Sequence, residues 1–172
     1  TLYPQKLWEK GFLAQKPKIY CKGRIVFWVS SSHLPTSVKT HLLDILKKGA
    51  LNTLAFPNPE MAPYGRKAKE IFLQQGWWRL WKKKLRFGKN VSQTAQMAEM
   101  GYAEGAILPL SMVLQSNLRT KGSYCLLPRG ELAQAYGILK DTPAVRKFLK
   151  YLQSNYVQNI LQEGGYSLPQ EP

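Results

Sequence analysis

Two stretches of this chain read as helix N-termini that present backbone amides. They are residues 58–65, Asn-Pro-Glu-Met-Ala-Pro-Tyr-Gly, and residues 88–92, Gly-Lys-Asn-Val-Ser. The first leads into a helical pattern through Ala68, Ile71 and Phe72 to Gly76. The second leads through Ala95, Met97 and Ala98 to Gly101. Pro63 fits the first helical position, where its φ is already set and the missing N–H costs nothing. Asn90 is a good N-cap. The first turn of a helix carries amides without intrahelical acceptors and about half a positive charge. Gly65, lacking a Cβ, would let the backbone approach whatever sits there. Two such ends aimed at one cleft would hold a compact oxyanion without Lys or Arg. Each alone reads equally well as an ordinary helix start.

The rest of the chain alternates strand-like and helical segments. Segment 2–11 reads as a short helix with Leu7 and Trp8 inward, and 18–21 as a short strand. Segment 24–29 contains Ile-Val-Phe-Trp-Val, an apolar run that predicts a strand covered on both faces. Segment 37–48 reads as a helix with Val38, Leu42, Ile45 and Leu46 on one stripe. A strand at 53–56 delivers the 58–65 loop. Helices follow at 63–75 and 90–100, with a short helical piece at 77–83 between them. Strands at 106–110, 123–127 and 135–139 come next. The helix at 143–155 takes Thr142 as N-cap and Pro143 at its first position, with Val145, Phe148, Leu149 and Leu152 inward. Segment 156–163 continues it and stops at Gly164-Gly165. The alternation predicts an α/β fold with a mostly parallel sheet and helices on both faces. Ligands of such sheets bind beyond the strand C-terminal ends, where the two helix starts lie.

The formal charge is +15, from 25 Lys and Arg against 10 acids. The densest run, Lys82-Lys83-Lys84-Leu85-Arg86, follows Trp77, Trp78 and Trp81. Basic residues among aromatics suit single-stranded nucleic acid, through phosphate contacts and stacking. They equally suit a solvated helix end, where positive charge complements the dipole and long stems cover apolar surface. An amide-built anion site does not need this charge, because a free lysine attracts any anion alike. No apolar run is long enough to cross a bilayer. His33 and His41 are the only histidines, and His41 stands three residues from Asp44 on a helix that also carries a core stripe. No HExxH, GxSxG or P-loop pattern occurs. Neither catalysis, a metal site nor a cofactor is expected.

The order of motifs goes further. Asn-Pro-Glu-x-Ala-Pro-Tyr-Gly-Arg-x-Ala, then Gly-Trp, Lys-Leu, Asn-Val-x-Gln-Thr and a small-residue run ending in Ser resembles the periplasmic molybdate-binding proteins of ABC importers. Residues 22–28 resemble that family's re-entry strand, and 144–169 its closing helix and tail. The resemblance implies the type II periplasmic-binding-protein fold, two α/β lobes with a hinge that close on the ligand. It implies an oxyanion held by serine hydroxyls and backbone amides, with the Tyr64 and Val91 N–H groups as ligands. Pro109 falls where some members place a ligand-binding tyrosine, and proline has neither hydroxyl nor N–H. The family's first portion, with two serine ligands, has no counterpart in 1–22. The Ser30-Ser31-Ser32 run reads as a loop start.

The implied plan is therefore an inserted lobe at 24–116, the remainder of an incomplete first lobe at 1–20 and 124–172, and hinge segments at 21–23 and 117–123. An incomplete lobe should expose a sheet edge and invite self-association. Cys21 and Cys125 flank the hinge segments, and sequence leaves open whether they pair. Thr1 opens no signal peptide, which says only that one was removed or not included. The function implied is a periplasmic solute-binding protein for molybdate or tungstate that feeds an ABC permease. Two alternatives remain: a polyanion or nucleic-acid binder on the same fold, and a sensory or effector member that no longer binds molybdate.

Overall fold

A computed structural model describes residues 2–34 and 41–169. The chain divides into two compact units, Thr1–Gly23 with Glu131–Pro172, and Arg24–Gly130. The crossings fall inside two long strands, β1 (Gln15–Ser30) and β5 (Gly122–Ile138). The second crossing, at Gly130, lies beyond the 117–123 segment expected as a hinge. Each long strand was expected as two short ones. Gly23 and the Pro128–Gly130 region read as breaks, but both are absorbed as irregularities, Arg129 taking a left-handed φ of 54°.

The Arg24–Gly130 unit is built around the sheet order β3-β2-β4-β1-β5. β2 (Leu54–Pro57), β3 (Leu85–Gly88) and β4 (Gly105–Pro109) run parallel, and β1 is antiparallel to β4 with Ile25 opposite Pro109 and Val29 opposite Gly105. The sheet is thus mixed rather than mostly parallel. The Ile25-Val26-Phe27-Trp28-Val29 run is covered on both faces as its composition predicts. Ile25, Phe27 and Val29 join one core, which holds α2 (Leu42–Lys48), α3 (Pro63–Gln74) and α4 (Trp77–Trp81) through Leu46, Phe72 and Trp81. Val26 and Trp28 join the other, with α5 (Val91–Glu99), α6 (Leu110–Leu114) and α7 (Leu118–Lys121). The Trp28 indole donates to the Leu118 carbonyl at 2.9 Å, and the Trp81 indole to the Leu46 carbonyl at 2.8 Å. Val38 and the 37–40 start expected for α2 lie outside the described residues.

The other unit holds α1 (Leu2–Glu9), the first part of β1, the last part of β5, α8 (Pro143–Leu152) and α9 (Asn155–Glu163). Its tail closes by a two-way bridge, Lys22 N–H to Ser167 O at 2.7 Å and Ser167 N–H to Lys22 O at 2.9 Å. Two expectations fail here. Leu7 and Trp8 of α1 are 40% and 37% exposed rather than inward, and α8 buries none of its residues, Phe148 standing 59% exposed. The amphipathic patterns are real, but their apolar faces are only partly covered, Val145, Leu149 and Leu152 of α8 being half-buried.

Candidate functional site

The site assembles from the parallel pairing of β2 and β3. Pro57 stands opposite Gly88 at their C-terminal ends, and the Asn58 N–H donates to the Gly88 carbonyl at 2.8 Å. Each strand then turns directly into a helix, β2 through 58–62 into α3, and β3 through Lys89 and Asn90 into α5. The two helix starts that the sequence singles out therefore rise side by side from one end of one sheet.

Local chemistry fixes each start. Asn58 Oδ1 accepts from the Glu60 N–H at 2.9 Å, and its carbonyl accepts from Met61 at 3.2 Å and Ala62 at 2.8 Å. The loop thus satisfies its own amides, and Pro63 opens α3 at N1 as expected. At α5, Asn90 Oδ1 accepts from the Gln93 N–H at 2.8 Å, while Gln93 Oε1 accepts from the Lys89 N–H at 2.7 Å. This reciprocal arrangement is the logic of a capping box. Among the described residues no acceptor meets the amides of Val91 and Ser92. Ser92, exposed at the second position of α5, offers an N–H and a hydroxyl that sequence reading passed over.

Gly65 and Gly88 each have a reason within the chain, which for Gly65 differs from the close approach to a ligand that was expected. A Cβ on Gly65 would overlap the Pro57 carbonyl, and one on Gly88 would stand 2.7 Å from the Thr94 amide. Each glycine lets the first turn of its helix sit on the end of its strand, so the close approach is to the chain itself. Thr94, fully buried, returns its hydroxyl to the Asn90 carbonyl at 2.8 Å.

Tyr64, Val91 and Pro109 all stand at the C-terminal ends of the three parallel strands or in the first turn beyond. Tyr64 is half-buried in the first turn of α3, against the core. Val91 is the first residue of α5. Pro109 ends β4 and precedes α6 in an extended conformation, φ −63° and ψ 139°, buried and without a donor. No histidine takes part. His33 bonds Ser32 at 3.0 Å and lies 4.0 Å from Glu104, and His41 is the exposed N-cap residue of α2. The displaced pKa values belong to Tyr20, Cys21, Cys125 and Arg146, none of them in these helix starts. Burial pushes the Cys21 and Cys125 thiols up, Cys125 to about 11, and both cysteines are free.

The family of bacterial extracellular solute-binding proteins matches residues 1–167. The chain belongs to that family. Among the family's curated proteins it is 32% identical over 177 residues to the molybdate-binding protein ModA of Azotobacter vinelandii, covering 96% of this chain and 67% of that one. It spans about two thirds of the length of the curated relatives it matches. The solved periplasmic molybdate-binding protein of Azotobacter vinelandii superposes with a TM-score of 0.78 at 22% identity, over 97% of this chain and 74% of that one. A periplasmic putative metal-binding protein superposes with a TM-score of 0.62 at 14% identity, over 99% of this chain and 98% of that one. These likenesses show that the mixed α/β fold matches that of solved periplasmic binding proteins.

The basic and aromatic run of this solute-binding protein takes on structural duties. Trp77 and Trp81 are buried in the core. Lys84 donates to the Gly49 and Leu51 carbonyls at 2.7 and 2.9 Å while standing 5.7 Å over the Trp81 ring. Trp78 is held under Lys69 at 5.4 Å and against Phe56. Of the tryptophans that suggested base stacking, two are therefore buried in the core and Trp78 is half-buried between Phe56 and Lys69, so they do not form an open platform.

Proposed function

We propose that this chain binds a tetrahedral oxyanion of the molybdate or tungstate type in the periplasm and delivers it to an ABC permease in the membrane. It performs no chemistry and uses no cofactor. The observation that carries this reading is the pair of helix starts, α3 and α5, rising from adjacent parallel strand ends tied by the Asn58–Gly88 hydrogen bond. Backbone amides of Tyr64 and Val91 are the donors, with the helix dipoles adding positive potential at the same end. The name of the Azotobacter relative supports the choice of molybdate. Pro109 contributes shape and no donor, so this end of the sheet relies on the two helix turns.

Calorimetric titration with molybdate, with sulfate and phosphate as controls, tests the reading. Heat with molybdate and none with the controls is expected. No heat with any of the three removes the proposal and leaves the sensory or effector reading that Pro109 favours. The same reading makes self-association run through the exposed apolar residues of the Thr1–Gly23 and Glu131–Pro172 unit, which sedimentation at rising concentration reads directly.

A further inference from the structure

We propose that the edge of the sheet at α4 and β3 is a docking surface for an anionic lipid membrane. The sequence holds no acid from residue 71 to residue 98, and within that stretch stand Arg79, Lys82, Lys83, Arg86 and Lys89. All five are exposed, and among the described residues none has a carboxylate partner. Three cations of the same unit are paired, Lys47 with Asp44, Lys67 with Glu70 and Lys69 with Glu60, and what sets the five apart is their density in an acid-free stretch rather than their lack of a partner. The five lie on consecutive structure: Arg79 in α4, Lys82 and Lys83 in the turn after it, Arg86 on β3, which is the last strand on its side of the sheet, and Lys89 just beyond that strand. Between them Leu80 and Phe87 are 42% and 49% exposed.

Several cations around exposed apolar side chains match the surface of an anionic bilayer. Each cation near the headgroups adds attraction within about a Debye length, and an apolar side chain settles at the interface. Charge on an outer strand also deters strand-to-strand pairing, but that needs one or two charges, not five. Nucleic acid fits less well, because Trp77 and Trp81 are buried in the core and the half-buried Trp78 is engaged by Phe56 and Lys69, which leaves Phe87 as the most exposed ring of the run. The proposal rests on the delivery to a membrane permease proposed above and not on which solute is bound.

The test is co-sedimentation with phosphatidylglycerol–phosphatidylcholine vesicles, with pure phosphatidylcholine as control, at 50 and 300 mM salt. Binding to the anionic vesicles alone, falling with salt, is expected. The triple variant Arg79→Glu, Lys82→Glu, Lys83→Glu should lower partitioning by about a hundred-fold or more while its thermal melt stays in place. A charge-matched variant in the other unit, Lys140→Glu, Lys147→Glu, Lys150→Glu, should lower it far less. Equal losses in the two variants would reduce the effect to net charge and overturn the proposal. So would tighter binding to a single-stranded oligonucleotide than to vesicles, or no vesicle binding at low salt. If the first variant fails to melt cooperatively, Lys82→Gln with Lys83→Gln carries the same test with a smaller expected loss.

Discussion

The two units use the same building materials to opposite effect. In Arg24–Gly130 the apolar stripes of α2, α3, α4 and α5 all find a sheet face, and Trp28, Trp81, Phe27, Phe56 and Phe72 are fully buried. In the other unit α8 and α9 are at least as amphipathic, yet α8 buries nothing and α9 buries only Val157. Among the described apolar residues of that unit only Leu13, Cys21, Ile138 and Val157 are buried. Beside α8, a groove of about 480 Å³ is lined by Ile138, Leu139, Val145, Phe148 and Leu149. Amphipathicity states that a face seeks a partner. Only packing shows that the partner is there, and about a third of the length of the curated relatives has no counterpart in this chain.

The contrast is broken or kept most sharply by a matched pair of truncations. Trp81→Ala removes a fully buried ring and its 2.8 Å bond to Leu46, so it should cost about 3–5 kcal/mol in urea unfolding. Phe148→Ala removes an aromatic side chain of the same class from an exposed face and should stay within about 0.5 kcal/mol. Similar losses at the two sites would mean that α8 is covered in solution, and would end the comparison as drawn.

The second largest effect tests what the better-packed unit is for. Val91→Pro deletes one N–H at a helix position that tolerates proline, after an Asn90 already extended at φ −146° and ψ 178°. Stability should hold. Loss of one hydrogen bond to a charged ligand, about 1.5–3 kcal/mol, weakens molybdate binding by roughly ten- to a hundred-fold in calorimetry. Unchanged affinity would remove the α5 turn from the site.

What the sequence disclosed follows the range of the interactions involved. The caps were legible because they are local: Asn90, Pro63 and Thr142 each act within four residues. The doubly covered β1 core was legible from five consecutive apolar residues. β3 was missed because its four residues follow a lysine run that reads as surface charge, and its partner β2 lies some thirty residues away. That same non-local pairing brings the two helix starts together, so the sequence showed each start singly, while the strand–helix alternation and the family resemblance suggested that they share one end of a sheet. For Gly65 the expected close approach is to the Pro57 carbonyl, because a sequence cannot show that the nearest backbone belongs to the chain's own strand.

A smaller effect compares equivalent caps. Asn90→Ala loses the 2.8 Å cap of α5, and Thr142→Ala the 3.3 Å cap of α8. Each removes about 1 kcal/mol of helix stability. For Asn90 the loss should appear in the cooperative unfolding midpoint, because α5 is packed on the sheet. For Thr142 it should appear only as faster amide exchange within 143–152, because α8 has no fully buried residue. A shift of the global midpoint by Thr142→Ala would tie α8 into the cooperative core.

The smallest effect concerns the thiols, one in each unit. Cys125, in Arg24–Gly130, has its pKa raised by burial from 9.0 to about 11. Cys21, in the other unit, is also raised by burial, but a hydrogen bond with Tyr20 works in the opposite direction. For Cys125 the unfolded chain ionises near pH 9 while the folded chain keeps its proton until about pH 11. The folded state therefore binds more protons in that window, and stability falls as pH rises through it. Below pH 9 the contribution is fully present. Thermal midpoints measured at pH 8, 9.5 and 11 should decline, and Cys125→Ala should decline less steeply than the unaltered chain. Iodoacetamide, which attacks the thiolate, should label folded Cys125 slowly at pH 8 and faster as pH approaches 11. Rapid labelling at pH 8 without unfolding would show that the half-buried thiol does not keep its raised pKa.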